Sequence, residues 1–217
     1  MIEPELIRAM HSTTCAIGYV TVSLERFVRD TTKPYFKVVG TGFQVATDRL
    51  MTNRHVIAGL LEAQSSLGFD DRQCVVLLVR ASTPGRWKIH CSRIVSLGYA
   101  AHPDADVGLV EFVRPPAKGF DDVQPLPLQA EMKYQVGEPI AVCGYAYGHE
   151  MLQKDGRVYR WGPILQQGYV SAISPFENTD RPSELLLDAR VAPGMSGAAV
   201  IRPAGGKVIG ILHSMLE

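Results

Sequence analysis

Twelve short runs rich in β-branched, aromatic and aliphatic residues recur along this chain, each bounded by Gly, Pro, Asn, Asp or Ser. That spacing is the pattern of a sandwich or barrel and leaves no room for repeated strand-helix-strand units. The first six runs are Cys15 to Val22, Phe36 to Ala46, Leu50 to Thr52, Cys74 to Val79, Trp87 to Gly98 and Val107 to Phe112. The second six are Gln124 to Gln129, Pro139 to Ala146, Pro163 to Ile173, Leu185 to Ala189, Gly197 to Ile201 and Val208 to Leu212. Between them lies Arg114-Pro115-Pro116-Ala117-Lys118-Gly119-Phe120-Asp121-Asp122. Its prolines cannot donate to a ladder, so it reads as a connection and not as a central strand.

The economical arrangement is all-β, with two six-stranded antiparallel barrels over residues 15–113 and 124–217, joined by a linker at 114–123 and preceded by a segment at 1–14. Helical spacing occurs at Glu3 to Met10, within that first segment, and at Val56 to Gln64. No repeat of fixed period or low-complexity tract interrupts the pattern.

At 217 residues with 46% apolar content the chain can bury a sizeable core. Its 22 basic and 22 acidic residues cancel, and the basic residues are scattered. Nucleic-acid binding by counterion release therefore has no source. Met1-Ile2-Glu3-Pro4-Glu5-Leu6 lacks the basic start and apolar stretch of a secretory signal, and no segment approaches the ~18 apolar residues of a membrane span. A cytoplasmic location is the expectation. Cys15, Cys74, Cys91 and Cys143 stand far apart without a Cys-x-x-Cys pair. They are expected to be unpaired thiols and not a metal or redox motif.

Three sites carry potential chemistry. In Gly194-Met195-Ser196-Gly197, flanking glycines permit a tight turn that aims a hydroxyl outward and points successive backbone N–H groups at one spot. In Leu50-Met51-Thr52-Asn53-Arg54-His55-Val56 an apolar strand breaks at polar residues and presents an imidazole just before an apolar helical run. In Asp104-Ala105-Asp106-Val107-Gly108-Leu109-Val110 a carboxylate precedes a buried-looking strand, where it requires a hydrogen-bonding partner. Each alone is a common turn or surface feature. In the order His, Asp, Ser they match the chain order of one known catalytic triad and differ from two others. The first two fall in the first barrel and the third in the second, so a cleft between barrels would unite them.

The chain resembles the trypsin-like protease domain of the Deg, or high-temperature-requirement, group of the chymotrypsin superfamily. The resemblance runs from about residue 15 to about residue 214. It is carried by Gly40-Thr41-Gly42-Phe43, Thr52-Asn53-Arg54-His55-Val56, Asp106-Val107-Gly108-Leu109 and Gly144. Further matches are Asp188-Ala189, Pro193-Gly194-Met195-Ser196-Gly197 and Gly205-Gly206-Lys207-Val208-Ile209-Gly210-Ile211. It implies a chymotrypsin-like double barrel with its active site in the cleft. It also implies a serine endopeptidase with His55 as base, Asp106 as acid and Ser196 as nucleophile, and with the N–H groups of Gly194 and Ser196 as oxyanion hole. The family pattern of acid, apolar, small, apolar, apolar fits Asp106 and not Asp104. No metal or organic cofactor is required.

Three departures stand out. Met195 occupies a position usually held by Asp or Asn, Ala198 stands where a second glycine is common, and the chain ends at Glu217 soon after the last run. Without an acid at position 195 to pair with a processed N-terminus, control by a partner protein or a further domain is expected. The expected partner in catalysis is a polypeptide substrate, without nucleic acid or membrane. The alternative is a catalytically silent pseudo-protease that holds peptides in the same cleft. Arg190, six residues before the nucleophile, falls where the family forms its pocket for the residue before the cut, and His213 lies on the wall strand. A guanidinium there favours an acidic side chain. Arg190 turned to solvent or to Asp188, beside a small apolar pocket, is the other reading.

Overall fold

The computed structural model describes residues 2–213 apart from 69, 71–72, 84–85, 103–104, 115–122, 132, 147–152, 155–156, 159–160, 178 and 180–181. Most of the expected linker, and Asp104, lie outside the described residues.

The first six strands are β1 (Thr14–Val20), β2 (Phe36–Ala46), β3 (Arg49–Thr52), β4 (Cys74–Thr83), β5 (Arg86–Tyr99) and β6 (Gly108–Phe112). They close into an antiparallel barrel in the order β1-β2-β3-β6-β5-β4. The continuous apolar run of β4 is explained by parity, since successive strand side chains point to opposite faces. Val76 and Leu78 join Cys15, Ile17, Leu50, Val110 and Phe112 in a cluster completed by Val39 of β2 and Ile94 and Leu97 of β5, so all six strands contribute to the barrel interior. Val75, Leu77 and Val79 face the other way, into a second cluster with Phe27, Phe36, Tyr145 and Trp161. Trp161 meets Phe27 and Phe36 edge-on, at centroid distances of 5.8 and 6.1 Å.

Among the described residues, three helices flank this barrel. Helix α1 (Pro4–Thr13) begins with proline at its first position, where the missing N–H costs nothing. It buries Met10 in a cluster that joins Phe43 of the barrel to Ala141, Ala199, Ile201 and Val208 of the second half. Helix α2 (Leu24–Arg29), which apolar spacing did not signal, is capped by the Ser23 side chain and covers the barrel exterior with Phe27. Helix α3 (Arg54–Leu67) buries Val56, Ile57 and Leu60 in the barrel interior cluster and ends at Gly68, whose φ of 64° is the left-handed cap glycine permits.

The second half is a curled sheet. Its strands are β7 (Pro139–Gly144), β10 (Ile164–Ser174), β11 (Glu184–Asp188), β12 (Ala199–Arg202) and β13 (Lys207–Ile211), in the order β11-β10-β7-β12-β13, with a separate hairpin of β8 (Gln153–Lys154) and β9 (Arg157–Val158). The architecture is chymotrypsin-like as expected, with a closed six-stranded barrel beside a five-stranded half-barrel where a second six-stranded barrel was expected. The expected strand at Gln124 to Gln129 is reduced to a single parallel bridge, Leu128 to Val208. Pro125 and Pro127 explain the shortness, because neither can donate to a ladder.

Candidate active site

Strand β3 and helix α3 place His55. The strand ends at Thr52, Asn53 turns the chain with extended dihedrals, and His55 lies in the first turn of the helix. The apolar spacing read from Val56 onward thus starts two residues late, since a first turn needs no apolar face. Asn53 stands at the N-cap without bonding the helix through its side chain. Its amide instead donates to the Asp106 carbonyl at 2.9 Å. The Asp106 carboxylate does the capping across space, accepting the His55 N–H at 3.0 Å. The second carboxylate oxygen faces His55 Nδ1 at 2.7 Å. An ionised carboxylate only accepts, so Nδ1 carries the proton in that bond, and in the neutral ring Nε2 is then the nitrogen with the lone pair. The His55 side chain is 48% exposed and that of Asp106 is 31% exposed. The ring therefore stands open to a reactant while its partner is more sheltered.

The nucleophile turn belongs to the second half. Met195 is fully buried, packed with Ile140, Val142, Ala192 and Ala198. An apolar plug thus stands where the resemblance implies a polar residue. The turn closes on itself, with the Met195 N–H donating to Ala192 O at 3.1 Å and the Ala198 N–H to Met195 O at 2.9 Å. Gly197 donates to Leu212 O at 2.8 Å. Gly194 and Gly197 have φ of 90° and 88°, in the region that favours glycine. At position 197 a Cβ would also stand 2.0 Å from the Thr41 carbonyl oxygen. Among the described residues, the N–H groups of Met195 and Gly197 are engaged within the fold, whereas those of Gly194 and Ser196 make no hydrogen bond. The alternation leaves available the two donors that sequence singled out.

The two halves meet around Thr41, and residues of the His55 helix and the serine turn flank one glycine there. A Cβ on Gly40 would lie 2.6 Å from a Val56 methyl and 3.2 Å from the Ser196 carbonyl. Thr41 and Thr52, buried hydroxyls on β2 and β3, were not recognised as site residues from sequence. Their signal is a polar side chain at a buried position of an apolar strand, next to glycines that permit close approach.

Arg190 and His213 line one cavity of about 530 Å³ with Leu185, Leu187, Val191 and Leu212. Arg190 is exposed and makes no ion pair among the described residues, so pairing with Asp188 is not seen. His213 Nε2 lies 3.6 Å from Glu184 Oε1. The four cysteines are free, and burial pushes the Cys15 thiol up to about 11. Among the described residues no three His, Cys, Asp or Glu side chains gather as a metal site, and no helix is long and apolar enough to cross a membrane.

A closed barrel and a half-barrel, with a histidine–carboxylate pair on one and a glycine-framed serine on the other, define the trypsin-like serine protease class of domain. Residues 40–211 match the trypsin-like peptidase domain family, and the chain belongs to that family. No curated protein sequence matches it. Among solved structures, that of Deg5 is similar with a TM-score of 0.58 at 19% identity, over 97% of this chain and 83% of that one. The serine endoprotease from Yersinia pestis is similar with a TM-score of 0.56 at 16% identity, over 98% of this chain and 57% of the longer enzyme. At these identities the likeness is one of fold.

Proposed function

We propose that the chain is an endopeptidase that cuts polypeptides through an acyl-enzyme on Ser196. The observation that carries the reading is the double hold of Asp106 on His55, through its N–H at 3.0 Å and through Nδ1 at 2.7 Å. That geometry selects the tautomer whose Nε2 is a base.

In the reaction Ser196 Oγ attacks the scissile carbonyl carbon as His55 Nε2 takes its proton, and Asp106 stabilises the imidazolium. The oxyanion accepts from the N–H groups of Gly194 and Ser196, each such donor being worth ~3–4 kcal/mol in the transition state. The tetrahedral intermediate then collapses. The C–N bond breaks, His55 returns the proton to the departing amine nitrogen, and an ester remains on Ser196. Water, deprotonated by His55, hydrolyses that ester and restores the hydroxyl. Every step uses side chains and backbone of this chain, without metal or organic cofactor.

The cavity lined by Arg190 and His213 receives the residue before the cut. Its Leu185, Leu187, Val191 and Leu212 lining supports an apolar preference, with Arg190 exposed at the same cavity. The proposal includes a cytoplasmic setting and restraint by a partner protein or a further domain. The test is hydrolysis of a mixed peptide library by the wild-type chain and by Ser196→Ala. Cleavage by the first and a drop of about 10⁴-fold or more in the second is expected. No cleavage by either, under any condition tried, would leave the peptide-holding alternative.

A further inference from the structure

Thr41 sits on β2 where the two halves meet, fully buried, and each of its polar atoms serves a different part of the site. Its N–H donates to the Ser196 carbonyl at 2.8 Å. Its hydroxyl donates to the Gly194 carbonyl at 2.7 Å and accepts the Tyr145 N–H at 3.0 Å. Its carbonyl accepts the Thr52 hydroxyl at 2.7 Å. A hydroxyl has one hydrogen and two lone pairs. Because an amide N–H can only donate and a carbonyl can only accept, the Tyr145 and Gly194 groups fix which way this hydroxyl points. The space for it is made by glycine, since a Cβ on Gly144 would lie 3.2 Å from Thr41 Oγ1 and 3.2 Å from the Ala198 Cβ.

We infer that Thr41 is a positioning residue for the nucleophile turn, and that its hydroxyl, together with its backbone N–H, holds the Ser196 oxyanion donor in place from the opposite barrel. The reason is a matter of peptide planes. The Gly194 carbonyl belongs to the peptide joining Gly194 to Met195, and the Ser196 carbonyl to the peptide joining Ser196 to Gly197. Peptides are rigid planes, so holding a carbonyl also sets the N–H on the far side of its bond. Thr41 holds both of these planes, and the peptide carrying the Ser196 N–H lies between them. With Met195 pinned in the core on one side, that middle peptide has little freedom to turn its N–H away. The Tyr145 N–H, received by the same oxygen, ties the end of β7 into the arrangement. A threonine that only filled space would need none of these bonds, and valine would serve equally.

The effect on turnover rests on the endopeptidase reading, whereas the hold on the turn does not, and the experiment separates them. Thr41→Val keeps the β-branched shape and the backbone bonds and removes the hydroxyl, while Thr41→Ser restores it. Amide hydrogen exchange is followed at Met195, Gly197 and Tyr145, with the β4 amides as an internal reference, alongside kcat and KM on a peptide substrate. Exchange at those three amides is expected to quicken about tenfold or more in Thr41→Val and to return near wild type in Thr41→Ser, with β4 unchanged. On the same reasoning kcat falls about 10²-fold with KM within about twofold, and serine recovers most of it. Thr41→Cys, a weak donor that keeps a side chain at the site, gives intermediate values and stands in if the valine chain does not fold. Wild-type exchange at Met195 and Gly197 in Thr41→Val, or a KM effect with kcat intact, would overturn the inference. A wild-type chain that cleaves no peptide would overturn the endopeptidase reading, and the exchange comparison would still decide for or against Thr41.

Discussion

A single carboxylate fixes both the backbone and the ring of His55: one oxygen of Asp106 accepts its N–H at 3.0 Å while the other faces Nδ1 at 2.7 Å. In Asp106→Asn the amide oxygen can still cap the helix, but its NH₂ then faces Nδ1 and forces the proton onto Nε2. The expected result is a fall in kcat of about 10⁴-fold with the fold retained. Asp106→Ala should lose activity likewise and also about 1 kcal/mol of stability with the cap. Urea unfolding of the two variants separates these effects, and equal stability losses would show that the cap contributes nothing.

Met195 anchors the serine turn by burial and not by an ion pair. Met195→Ala should therefore cost about 2–4 kcal/mol, as large-to-small changes at fully buried sites do. Met195→Leu, close in volume, should cost less than about 1.5 kcal/mol. A urea midpoint for the alanine variant equal to wild type would mean that the plug is not what holds the turn.

The strand pattern was readable because strand side chains alternate between two faces, so that even the unbroken apolar run of β4 divides between the barrel interior and its cover. The histidine, its acid and the serine were readable because each sits at a break between an apolar run and a turn. Thr41 was not, since its bonds to Gly194 and Tyr145 span more than a hundred residues and leave no local mark. Asn53 read only as part of the polar break after a strand, and its bond to the Asp106 carbonyl depends on a strand that pairs with β3 far along the chain. Helix α2 is too short for its spacing to stand out from a loop. The substitution at Met195 was visible, but whether it weakened the site depended on the core beneath it.

The Cys15 thiol, pushed up to about 11 mainly by burial and drawn back somewhat by Arg80, makes stability depend on alkaline pH. A folded-state pKa above the unfolded one gives a contribution that is whole below about 9 and is lost as pH rises toward about 11, at up to ~1.4 kcal/mol per pH unit. The stability gap between wild type and Cys15→Ala, taken from urea unfolding at pH 8 and at pH 10.5, should therefore narrow at the higher pH. A constant gap would place the thiol's ionisation outside that window.

The cavity beside the serine turn should favour aliphatic side chains before the cut. Leu185, Leu187, Val191 and Leu212 line it, while Arg190 is exposed and His213 lies near Glu184. Profiling a substrate library should show Val, Ala or Leu preferred over Asp and Glu by about tenfold or more, with little change in Arg190→Ala. A preference for Asp or Glu that Arg190→Ala abolishes would instead make the guanidinium the floor of an acidic-residue pocket.

The central claim is that Ser196 is a nucleophile made reactive by His55 and Asp106, and covalent labelling tests it most directly. A fluorophosphonate probe should add one equivalent to the native chain, and peptide mapping should place it on Ser196. Labelling should vanish in Ser196→Ala and slow by several powers of ten in His55→Ala. A native chain that stays unlabelled, or one labelled equally well without His55, would contradict the account.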